Sequence, residues 1–239
     1  MFGISPSQYD VKFRFFDFEI RIHPFFWILI LFLFSSRRIT TLSQWLMELA
    51  VWCAAILVSI LVHELGHACV FRYVFGVESN IILHGFGGVT IPHSPVRHYY
   101  GIKGLLYEIF LCAAGCLAGF VLAGIAFSML IMIDVPQQEG FNLLSLVEKF
   151  LYFTMIVSII WGIFNLIPIY PLDGGQISRK IFLFFSPRNG IVNSLILSMA
   201  AAIICIYFCM TAGMFFGAIL LGFFAYQNYM ELTNQSFRY

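Results

Sequence analysis

Long apolar runs, each closed by charge, proline or glycine, dominate the chain and predict six helical segments: residues 20–36, 45–71, 105–133, 148–168, 190–210 and 212–228. Most approach or exceed the roughly 20 residues that a helix needs to cross the bilayer hydrocarbon. The first is the weakest, because its unbroken apolar part runs only from Pro24 to Phe34 and suits a tilted or interfacial helix as well as a crossing one. Between the second and third segments, NIILHGFGGVTIP mixes β-branched residues with glycines, a poor helix that predicts a short hairpin or edge strand. At membrane depth such backbone must lie against protein, since lipid offers it no hydrogen bonds. The pattern predicts an all-α membrane protein of about six transmembrane helices, with one short β-like loop between helices two and three.

Composition agrees. Of the 239 residues, 61% are hydrophobic and 10% charged, whereas a soluble domain carries charge on about a quarter of its residues. The net charge of +1 creates no field that would draw nucleic acid to the chain. All six cysteines sit in apolar stretches without a CxxC pair and read as small packing residues. Neither a cleavable secretory signal nor a linker is visible, so residues 1–239 are expected to form a single polytopic domain. Arginine and lysine are uneven: Lys12, Arg14, Arg21, Arg72, Arg97, Lys103, Arg179, Lys180, Arg188 and Arg238 fall on one predicted side, and Arg37, Arg38 and Lys149 on the other. The positive-inside rule then places both termini and the second and fourth loops in the cytoplasm, with the cell membrane as the expected location.

Chemistry concentrates in VSILVHELGHACV. His63 and His67 lie four residues apart, one helical turn above the other, so both imidazoles can reach one metal ion. Glu64 stands beside them, placed to take a proton from water at that ion. This is the HExxH pattern of zinc hydrolases. In a soluble helix it can be a solvated face, but near the end of an apolar helix an ionisable side chain costs about 2.5 to 3.5 kcal/mol on insertion scales and marks a functional site.

A catalytic zinc takes three protein ligands and keeps one position open. The third ligand is expected to be Asp173, the only Asp or Glu between residues 150 and 230. It lies in NLIPIYPLDGG, where Pro168 and Pro171 break the fourth helix and Gly174 and Gly175 follow. Two crossings separate this point from HELGH, so both are expected at one membrane face. Entry of the second helix near Leu46 puts His63 roughly 25 Å deeper, close to the cytoplasmic boundary. A bare helix-terminating turn is the alternative for Asp173 taken alone.

HELGH followed by Asn165 to Gly175 resembles the site-2 protease family of intramembrane metalloproteases, peptidase family M50, which share HExxH and a downstream NxxPxxPLDGG element. HGFGGVT looks like the family's substrate-side glycine loop and YEIFLCAAGCLAG like its AGPxxN helix, so the likeness covers most of the chain. It implies a three-helix catalytic core from the second, third and fourth segments, within about residues 45–180. It also implies one zinc ion and cleavage of peptide bonds within or near the transmembrane segments of membrane proteins embedded in the same lipid bilayer. Six helices and a cytoplasmic site are similar to the branch that processes a sporulation transcription factor, without the nucleotide-binding module often attached there. Cys116 and Gly119 depart from the family pattern, standing where Pro and Asn are usual.

The resemblance implies that Asn165 donates a hydrogen bond to the carbonyl oxygen during attack; a structural bond to broken-helix backbone is the alternative. Phe86, Gly87 and Gly88 are candidates for strand-like pairing with an unwound substrate, against a simple turn. His84 and His93 are left out of the site, and Glu108 is expected to pair with a loop base such as Lys103 or Arg97. Two rivals stand beside the protease: a metal transporter, which needs ligands spread along a path through the membrane, and a catalytically silent binder of membrane proteins. Concentration of the ligands near one face disfavours the first, and intact Glu64 the second.

Overall fold

The computed structural model describes residues 6–33, 41–96, 100–133 and 143–236. Residues 34–36 of the first predicted helix and Arg37, Arg38, Arg97 and Arg238 of the charge count lie outside them. The chain divides into two compact units, one holding the residues up to 97 with 114–162, the other 98–113 with 163–239.

The first unit carries a four-stranded sheet that the hydrophobic pattern did not announce in full. Strands β1 (Val11–Phe15) and β2 (Phe18–Ile22) form an antiparallel hairpin; β2 runs parallel to β3 (Ser79–His84), which pairs antiparallel with β4 (Gly87–Pro92). The hairpin of β3 and β4 is the β-like loop expected from NIILHGFGGVTIP. Residues 20–22 correct the first predicted helix: they belong to β2, whose FEIRI alternation buries Phe18, Ile20 and Ile22 while Glu19 stays exposed. Helix α1 (Pro24–Leu33) follows, at ten residues only about 15 Å long. Helix α2 (Leu42–Tyr73) starts on Thr41, whose hydroxyl accepts the Gln44 N–H at 3.3 Å, and ends near Arg72, paired with Asp17 at 2.9 Å. Phe18, Ile20 and Ile22 of β2, Phe26 and Ile30 of α1, Ile56 and Ile60 of α2 and Ile81 and Leu83 of β3 form one core. Helices α3 (Gly101–Met132) and α4 (Leu143–Leu166) each run through both units. Within the first unit α4 is held to α2 by Ser59, which donates to the Thr154 carbonyl at 3.3 Å and accepts from Ser158 at 3.1 Å.

The second unit ends in three helices, α5 (Asp173–Phe185), α6 (Gly190–Thr211) and α7 (Phe215–Ser236). Ile169 and Leu172 pack with Ala202, Leu221 and Phe224. Helix α5 is absent from the sequence expectation, since two glycines and two bases in DGGQISRK read as loop. Its bases are paired: Arg179 meets Glu231 at 3.1 Å and lies 3.6 Å over the Tyr170 ring, and Lys180 meets Glu108 at 3.2 Å. An ion pair expected at Glu108 therefore forms, with Lys180 of α5.

Among the described residues four helices are long and apolar enough to cross a membrane: α2, α3, α4 and α6. The mostly helical class stands, with a small sheet added. The first and last expected crossings, α1 and α7, are not among these four. Only ten residues of α1 are described, and the second half of α7 turns polar with Gln227, Asn228, Glu231 and Asn234.

Candidate active site

In the first unit α2 presents three buried polar side chains within one turn: His63, Glu64 and His67 are 3%, 4% and 9% exposed. The Nε2 atoms of His63 and His67 lie 3.2 Å apart. Two nitrogens on one tetrahedral zinc, each about 2.05 Å from it, are separated by about 3.3 Å, so the histidine pair fits a shared ion without rearrangement.

The space beside the pair exists because α3 carries no side chain at Gly115. A Cβ there would sit 2.7 Å from His63 Nε2 and overlap His67 Nε2. Gly115→Ala is accordingly expected to push the imidazoles apart and lower bound zinc by tenfold or more, on the scale of the 10–100-fold losses that misplaced ligand support causes. Elemental analysis of purified protein checks this; undiminished zinc would contradict the geometry.

Glu64 is held from the sheet. The Thr90 hydroxyl on β4 donates to Glu64 Oε2 at 2.8 Å and lies 3.1 Å from the Glu64 carbonyl oxygen. Gly88, on the same edge strand, leaves room beside the other oxygen, since a Cβ there would lie 2.5 Å from Oε1. Oε2 is thus engaged by Thr90, and the carboxylate packs against backbone where Gly88 carries no side chain. Thr90 was invisible as a site residue in the sequence; its signal was only a hydroxyl at period two from Gly88 in the glycine loop. Thr90→Val should slow cleavage about ten- to a hundredfold, the worth of a hydrogen bond to a charged group, with zinc retained. Full activity in Thr90→Val would remove the residue from this role.

Phe86 is exposed at the hairpin turn and Gly87 is buried as β4 begins, so the three residues of the glycine loop lead onto the strand that contacts Glu64. His84 accepts the Phe86 N–H on Nδ1 at 3.2 Å, and burial, then the charge of His23, pushes its pKa down to about 4. His93 lies 3.9 Å from Glu78. Both histidines have local partners.

In the second unit Asn165 is buried in the last turn of α4, and Asp173 is buried as the first residue of α5. The proline-rich stretch between them is anchored by polar side chains that the sequence reading passed over. The Tyr170 N–H donates to Ser198 Oγ at 3.0 Å, and the Tyr170 carbonyl accepts from Asn228 Nδ2 at 2.7 Å. Ser198 and Asn228 are 0% and 1% exposed. Backbone that leaves a helix in an apolar setting must find such partners, so these two residues fix the segment that carries Asp173. Little in the sequence singles them out: Ser198 shares α6 with Asn193 and Ser194, and Asn228 lies beside Gln227 in the polar half of α7.

The model for peptidase family M50 matches residues 131–210. Stage IV sporulation protein FB of Bacillus subtilis is 28% identical over 71% of this chain and 49% of its own length. A zinc metalloprotease of Methanocaldococcus jannaschii is 26% identical over 73% of this chain and 46% of its own. The chain spans about half the length of these curated relatives. A solved site-2 protease from M. jannaschii superposes with a TM-score of 0.60, covering 94% of this chain and 95% of that one at 22% identity, which is a likeness of fold.

Proposed function

We propose that the chain is a member of peptidase family M50 and an intramembrane zinc endopeptidase cutting peptide bonds within or near the transmembrane segments of other membrane proteins. The observation that carries the reading is the pair of Nε2 atoms 3.2 Å apart beside a buried, hydrogen-bonded Glu64 on an apolar helix. His63, His67 and Asp173 would hold the metal, in a catalytic core built on α2, α3 and α4. Zinc, when bound, polarises the substrate carbonyl and acidifies water.

The chain's own side chains do the rest. Glu64 Oε1 takes the proton of the attacking water and delivers it to the departing amine nitrogen, while Thr90 holds Oε2 still. Asn165 is proposed to donate to the carbonyl oxygen as charge develops there. Edge strand β4, with Phe86, Gly87 and Gly88 at its start, offers backbone to a substrate segment that must be extended before it is cut. The excess of basic residues in the loops supports an orientation with the termini and this site towards the cytoplasm, and the cell membrane is the proposed location. A transporter or a silent binder remains a poorer account of the same residues.

The test is a comparison of membrane proteomes from cells carrying the wild-type chain or Glu64→Gln. A single-span protein that accumulates intact in the variant and is cut in the wild type is expected. Identical membrane proteins and fragments in both would overturn the reading.

A further inference from the structure

Cys116 follows Gly115 on α3, in the turn that approaches the histidine pair, and has no part in the chemistry above. It is 1% exposed, and its Sγ lies within 4.8 Å of a ring nitrogen of His63. Sulfur and nitrogen on one tetrahedral zinc, at about 2.3 and 2.05 Å, are about 3.5 Å apart. The thiol therefore needs to close on the imidazole by at most about 1.3 Å to share an ion with it, a movement within reach of a small side-chain adjustment. The surroundings are those of a ligand cluster rather than of a solitary thiol: two imidazoles already 3.2 Å apart, and a backbone stripped to glycine where it meets them. Thiolate is among the strongest donors zinc accepts.

Resting on the zinc site proposed above, we propose that Cys116 is an additional ligand of the same ion, its sulfur filling the position that water must enter for hydrolysis. The resting centre is then closed, as structural zinc sites are, and opens when the sulfur leaves. On ligation the S–H bond breaks, sulfur keeps the electron pair and forms the bond to the metal, and the proton passes to solvent; departure of the sulfur reverses each change. No oxidant is required. The proteolytic site would carry its own removable cap, set by one residue of α3.

Cobalt(II) added to the metal-free full-length protein in detergent tests this without any substrate. Visible absorption reports cobalt at the histidines, and a near-ultraviolet sulfur-to-cobalt charge-transfer band reports the thiolate. The wild type is expected to show both signals. Cys116→Ser is expected to keep the visible bands and lose the near-ultraviolet one entirely, with Cys116→Ala behaving alike should the serine variant fail to fold. Visible bands without a sulfur band in the wild type, or a sulfur band that survives both substitutions, would overturn the cap and leave the histidine site standing. Absence of visible bands in the wild type would overturn the metal site and the cap with it.

Discussion

Replacing Glu64 by Gln is expected to stop cleavage while zinc stays bound. The amide fills the same space and can still accept the Thr90 hydroxyl, which now meets Glu64 Oε2 at 2.8 Å, so the packing around the histidines has no reason to change. What disappears is a group able to take a proton from water and return it to the leaving nitrogen. Positioned acid–base catalysis is worth about 10²–10⁴ in rate, and here one carboxylate serves both transfers, so the loss should reach or exceed the upper figure. Cleavage of an accumulated substrate, scored beside zinc content in the same preparation, measures both halves of the claim. Retained cleavage in Glu64→Gln would contradict the mechanism, and lost zinc would show that Glu64 supports the metal instead.

The second large effect falls on the metal itself. His63→Ala or His67→Ala removes one of two nitrogens that lie 3.2 Å apart on adjacent turns of α2. One imidazole and one carboxylate make a weak site for zinc, so affinity should fall well beyond the 10–100-fold that loss of a mere supporting contact causes. Purified variants dialysed against buffer should carry little zinc while the Glu64→Gln protein carries as much as the wild type. That contrast separates ligands from base within a stretch of five residues. Zinc undiminished in either histidine variant would contradict the assignment.

How far these features could be read in advance follows from the physics of each. The four apolar crossings were legible because lipid demands long uninterrupted runs, and HELGH because an ionisable cluster inside such a run is costly without a purpose. The hairpin of β3 and β4 was legible from β-branched residues and glycines. Strand β2 was not, although FEIRI alternates cleanly, because its apolar residues run into those of α1 and the joined stretch mimics one helix. Helix α5 was hidden by glycines in its first turn and by bases whose partners, Glu108 and Glu231, lie far away in sequence. Thr90, Ser198 and Asn228 escaped for the same reason: each acts on a residue more than twenty positions away, and only folding shows what it touches. Cys116 read as packing, and only its place beside the histidines gives it a chemical reading.

The account turns on Asp173 completing the metal's protein ligands. The direct measurement is the zinc content, by elemental analysis, of purified full-length Asp173→Ala beside the wild type, with helical content by circular dichroism as the control for folding. One zinc per chain in the wild type and a small fraction of that in a fully helical variant is the predicted result. Equal zinc in the two proteins would contradict it.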